Sequence, residues 1–66
     1  MEIALNGEPR TLEPGTTVAA LLEREGLAGR RVAVEVNGRI VPRGALASHA
    51  LQPGDRVEIV HALGGG

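Results

Sequence analysis

Residues 53–62 read PGDRVEIVHA, and the place this stretch takes among the other elements decides the architecture. Pro53, Gly54 and Asp55 have turn chemistry: proline presets its own backbone angle and glycine accepts positive φ. In the strand that follows, Val57, Ile59 and His61 share one face, and Glu58, Val60 and Ala62 share the other. This final strand must supply the missing central partner of the sheet, with the remaining segments arranged around it.

Upstream, Ile3 and Leu5 alternate within EIALN, Asn6-Gly7 supplies a tight turn, and RTLE (residues 10–13) returns with Leu12 inward. Pro14-Gly15 breaks that hairpin. Thr17 is suited to an N-cap, and Val18, Leu21 and Leu22 recur at helical spacing, which predicts a helix from Val18 to Glu25. Gly26 fits the left-handed position just past a helix, with Leu27 folding back on the last turn. Val32, Val34 and Val36 then alternate, Asn37-Gly38 makes a second tight turn, and Ile40-Val41 return until Pro42 stops the strand. Residues 43–52 look irregular, with Leu46 and Leu51 as core anchors.

A helix that follows a hairpin must bury its apolar stripe against one sheet face. The connection before Arg56 is long enough to bring the last strand beside the first and parallel to it. The expected fold is therefore α+β, a mixed sheet with one helix packed across one face: the ubiquitin-like β-grasp arrangement. Leu5, Val18, Leu22, Val34, Val57 and Ile59 should be buried. Residues 1–63 form the domain and residues 64–66 a glycine tail.

Composition removes several classes of function. With 66 residues there is little material for an enclosed active site, so a partner of enzymes is favoured over an enzyme. No cysteine is present, which excludes disulfides, thiolate metal sites and a cysteine nucleophile within these residues. All seven basic residues are arginine, so no lysine can form a Schiff base. The absence of Phe, Tyr and Trp removes stacking platforms for nucleic acid, and a net charge of -1 argues against tracking a phosphate backbone. No apolar run is long enough to span a bilayer and MEIALNGEPR has no signal-peptide pattern, so a cytoplasmic protein free of membranes and monomeric when unbound is expected. His49 and His61 lack companions at metal-ligand spacing, Arg30-Arg31 reads as a solvated step before a strand, and no phosphate-binding loop is present.

Taken together, LNGEPR, TTVAALLE, VAVEVNGRIVPR and LQPGDRVEIVHALGGG resemble the ThiS family, the sulfur carriers of thiamine thiazole synthesis, over essentially the whole chain. Members of that family end in Gly-Gly. The resemblance implies that the Gly66 carboxylate is activated with ATP by a ThiF-like adenylating enzyme, then converted to a thiocarboxylate with sulfur from a donor such as a cysteine desulfurase. The thiocarboxylate would serve a ThiG-like thiazole synthase. Gly64 and Gly65 would thread the partner's channel, because glycine passes where a side chain collides. Three residues reach roughly 10 Å, enough to enter an active site while the domain stays outside. The chain itself would bind neither metal nor cofactor, and Mg-ATP would be held by the adenylating partner.

Alternation places Val60 and Ala62, with Ala4 of the first strand, on the face that no helix covers, and Arg56 and Glu58 at its margin could orient a partner by charge. This set is the expected docking face. Two other readings of the same residues stay open: a carrier for molybdopterin or tRNA thiolation, and a β-grasp binding module with no reactive terminus.

Overall fold

The structure, a computed structural model, describes residues 1–61. In chain order the elements are β1 (Glu2–Leu5), β2 (Glu8–Thr11), α1 (Val18–Arg24), β3 (Val32–Val36), β4 (Arg39–Val41), a single 3-10 turn (Arg43–Ala45) and β5 (Arg56–His61). Among the described residues the sheet has five strands in the order β2-β1-β5-β3-β4. β5 lies in the centre, parallel to β1 and antiparallel to β3. The mixed sheet with one helix across one face is thus the fold the chain adopts.

Both hairpins turn on Asn-Gly. Asn6 and Asn37 have φ of 49° and 54°, each followed by a glycine at 84°, the paired positive angles that match the twist of two antiparallel strands. The two-residue loops fix the registers Leu5–Glu8 and Val36–Arg39. They thereby set which side chains face inward along all four outer strands.

The helix is short, so its ends matter. At the N-terminus the Thr17 hydroxyl accepts from the Ala20 amide at 3.1 Å. The first-turn amides of Val18 and Ala19 donate to the carbonyls of His49 and Leu46, at 3.0 and 2.9 Å. The segment between β4 and β5, which reads as irregular, is therefore the partner of amides that a helix cannot satisfy internally. At the other end Glu25 is the C-cap, one residue beyond the last helical residue. Gly26 has a φ of 74°, and its amide donates to Glu23 while that of Leu27 donates to Leu22. This is a Schellman motif, with Leu27 packed on the core as its hydrophobic contact.

The core is entirely aliphatic. Val18, Leu21 and Leu22 from α1 meet Ile3, Leu5, Val34, Val36, Val41, Val57 and Ile59 from the sheet, with Leu12 and Leu51 closing the ends. All six residues expected to be buried are buried, as is Leu51, whereas Leu46 is half-buried at the margin. A surface cleft of about 230 Å³ lies between Leu22, Leu27, Arg30, Val32, Arg43 and Leu46.

Leu21 has no exposed surface. Leu21→Ala is expected to cost about 2–5 kcal/mol, a large share of what so small a domain possesses. Chemical denaturation would measure this, and an unchanged midpoint would contradict the placement of α1.

Candidate functional site

The face turned away from α1 is assembled by strand pairing. Ala4 lies opposite Arg56 on one side and Pro9 on the other. Glu58 lies opposite Glu35, and Val60 opposite Ala33. Arg56, Glu58 and Val60 are exposed and Ala4 is half-buried, so the described members of the expected docking set share one continuous face. Val60 is 59% exposed, unusual for so apolar a side chain in a central strand. The fifth member, Ala62, and the glycines Gly64, Gly65 and Gly66 lie outside the described residues.

Sequence reasoning missed two members of this face. Ile40 is 61% exposed and pairs with Glu35, which places it on the outer surface. The signal was present, because a two-residue Asn-Gly turn that pairs Val36 with Arg39 must also pair Glu35 with Ile40. Glu35 itself escaped notice because its importance depends on Glu58, a residue of another strand. Directly opposite side chains in an antiparallel pair stand only about 4.5–5.5 Å apart at Cβ. Two carboxylates there repel each other. The ion pairs among the described residues gather elsewhere, around Arg10, which reaches Glu8 at 3.3 Å and Glu25 at 3.5 Å.

His61 shares its side of the strand with Val57 and Ile59 but is exposed, because it lies beyond the area that α1 covers. There it borders a notch of about 240 Å³ with Asn6, Arg10, Glu25 and Leu27. His49 is half-buried, and its backbone carbonyl caps the helix. Arg30 and Arg31 are exposed before β3. Among the described residues no three of His, Asp and Glu converge as a metal-ligand set, and no helix is long and apolar enough to cross a membrane. What the face offers is a sheet surface on which Ala4, Ile40 and Val60 surround the central Glu35 and Glu58, suited to contact with another protein.

A profile of the ThiS family matches residues 3–66. Over its 66 residues the chain is 48% identical to a thiazole synthase of Magnetococcus marinus, covering all of this chain and 20% of that protein. The chain thus spans about a fifth of the length of that relative and of a second thiazole synthase it matches. It is 33% identical to the sulfur carrier protein ThiS of Escherichia coli (strain K12), with 100% of both chains covered. Among solved structures, the crystal structure of the thiamine biosynthesis protein (ThiS) from Geobacter metallireducens aligns over 100% of both chains with a TM-score of 0.86 and 33% identity.

The Glu35–Glu58 pair has a consequence that can be measured without any partner. Glu58→Arg replaces repulsion by attraction and is expected to raise stability by about 0.2–1 kcal/mol. The gain should shrink as salt is added. A loss of stability, or a gain indifferent to salt, would mean that the two side chains do not face one another.

Proposed function

Because the chain belongs to the ThiS family, we propose that it is a sulfur carrier of thiamine biosynthesis whose C-terminal glycine carboxylate becomes a thiocarboxylate. The observation that carries this reading is the family match through residue 66, which includes the three glycines. A carboxylate is a poor electrophile until a good leaving group is attached. In the proposed sequence a Gly66 carboxylate oxygen attacks the α-phosphorus of Mg-ATP held by an adenylating enzyme, and pyrophosphate leaves. The terminal sulfur of a persulfide then adds to the carbonyl carbon and AMP departs. A thiol cleaves the resulting disulfide, and the thiocarboxylate remains on the carrier.

The chain contributes no acid, base or metal to these steps. Its part is presentation: a glycine segment that enters a narrow site, and a folded surface that docks outside it. Ala4, Arg56, Glu58, Val60 and Ala62 form the proposed docking set, with Ile40 added by the register of β4. Likeness to thiazole synthases along the whole chain supports an enzyme of that class as the acceptor of the sulfur. A persulfide source such as a cysteine desulfurase completes the proposed set of partners.

The direct test is intact mass after incubation with the adenylating enzyme, Mg-ATP and a sulfur source. Exchange of one oxygen for one sulfur at the C-terminus is expected, and it should disappear when Gly65 and Gly66 are deleted or when one residue is added after Gly66. Normal sulfur transfer by either altered chain would overturn the carrier reading.

A second test addresses the docking face. Val60→Glu is expected to lower folding stability by no more than about 1 kcal/mol, because Val60 is largely exposed and the new carboxylate only shares its face with Glu35 and Glu58. It should raise KM for the carrier in the adenylation reaction and leave kcat nearly unchanged. Unaltered KM would move the docking surface to another part of the molecule.

A further inference from the structure

β5 loses its β1 neighbour partway along its length. The parallel ladder pairs Ala4 with Arg56 and Leu5 with Val57, after which β1 ends and the chain turns at Asn6-Gly7. The Asn6 amide still donates to the Val57 carbonyl at 2.8 Å. Had β1 continued, the Asn6 main-chain carbonyl would receive the next rung, from the Ile59 amide. Instead the side chain supplies it: Asn6 Oδ1 accepts from the Ile59 N–H at 2.8 Å, and Asn6 Nδ2 donates to the Ile59 carbonyl at 3.4 Å. A side-chain amide thus stands in for a missing length of strand. On the opposite edge β3 follows β5 as far as the Val32–His61 pair. Without Asn6, the N–H and carbonyl of Ile59 would lose their partners on the β1 edge.

We propose that Asn6 is a positioning residue for the transfer reaction: by closing the second edge of β5 it fixes the strand end from which residues 62–66 are presented to the adenylating enzyme. This inference rests on the sulfur-carrier reading above. The geometry explains why asparagine suits the position. A φ of 49° is tolerated by asparagine and glycine, but only asparagine also carries both an acceptor and a donor with which to copy a main-chain rung. The reacting atoms lie beyond the strand end, so a loose anchor spreads the carboxylate over many directions, and orientation errors of this kind lower the rate of the chemical step more than they lower docking.

Asn6→Gly isolates the effect, since glycine keeps the positive φ and removes only the side chain. Thr17→Ala serves as the comparison, because it removes the helix cap on the far side of the core and lowers stability without touching β5. In Asn6→Gly, amide exchange at Ile59 is expected to accelerate well beyond that at Val34 and Leu21. Adenylation should lose roughly tenfold or more in kcat with KM nearly constant. Thr17→Ala should keep both constants close to wild type. If the two variants lose kcat alike, or if the Ile59 amide in Asn6→Gly stays as protected as in wild type, Asn6 is not a positioning residue. A wild-type chain that the enzyme does not adenylate would instead overturn the carrier reading, and the exchange comparison would still decide whether Asn6 anchors the strand end. Should Asn6→Gly not fold, Asn6→Asp answers the same question: it keeps the acceptor for the Ile59 N–H and sets an oxygen against the Ile59 carbonyl, so a local rise in exchange and a fall in kcat are again expected.

Discussion

Everything in this molecule depends on β5 being satisfied along both edges. It is the last of the described strands in chain order and the middle strand in space, parallel to β1 and antiparallel to β3. Main-chain ladders meet most of that need, and the two Asn-Gly turns meet the remainder. Asn37 accepts from the Arg56 amide and donates to the Asp55 carboxylate where β5 begins, and Asn6 takes over at Ile59 where β1 has run out. Asp55, the buried charged residue, is held further by the Gln52 amide at 2.8 Å, so its carboxylate is not left without partners. One dipeptide therefore serves twice. Its backbone turns a hairpin, and its side chain secures a strand that is not part of that hairpin.

This double use marks the boundary of what the sequence discloses. Turns, helix and strand faces were legible because each depends on residues close together in the chain: Asn-Gly for the turns, Thr17 and Gly26 for the helix ends, alternation for Val32, Val34 and Val36. The central place of β5 could be argued from connection length. Interactions between distant segments were not legible. The carbonyls of Leu46 and His49 that complete the helix come from a stretch with no periodicity of its own. Nothing in the order of residues announces that Glu35 will stand opposite Glu58, or that asparagine side chains will replace rungs of a ladder. Alternation does place Ala4, Glu58 and Val60 on the uncovered face, and the register of β4 adds Ile40.

The uncovered face shows how a small domain divides its materials. Among the described residues twelve aliphatic side chains form the buried core, and no ring is spent on it. Yet Ile40 and Val60, which would pack well, stand in solvent beside two opposed carboxylates. On stability alone this is a poor arrangement, because apolar exposure and like-charge contact both oppose folding. It is understandable if the surface is meant to be covered for part of the protein's working life by another protein.

The parallel pairing of β1 with β5 also governs when a fold can exist at all. Asn6 and Ile59 are 53 residues apart in sequence, so the middle of the sheet cannot close until β5 has been made. Contacts that span such distances form late, because the entropy of loop closure must be met before they give anything back. During synthesis the β1–β2 hairpin, α1 and the β3–β4 hairpin all emerge before the strand that joins them. A nascent chain interrupted before Arg56 would hold two separate hairpins with unpaired inner edges, a form prone to aggregation and removal. A chain that has acquired its native surface has by that fact been read at least through β5.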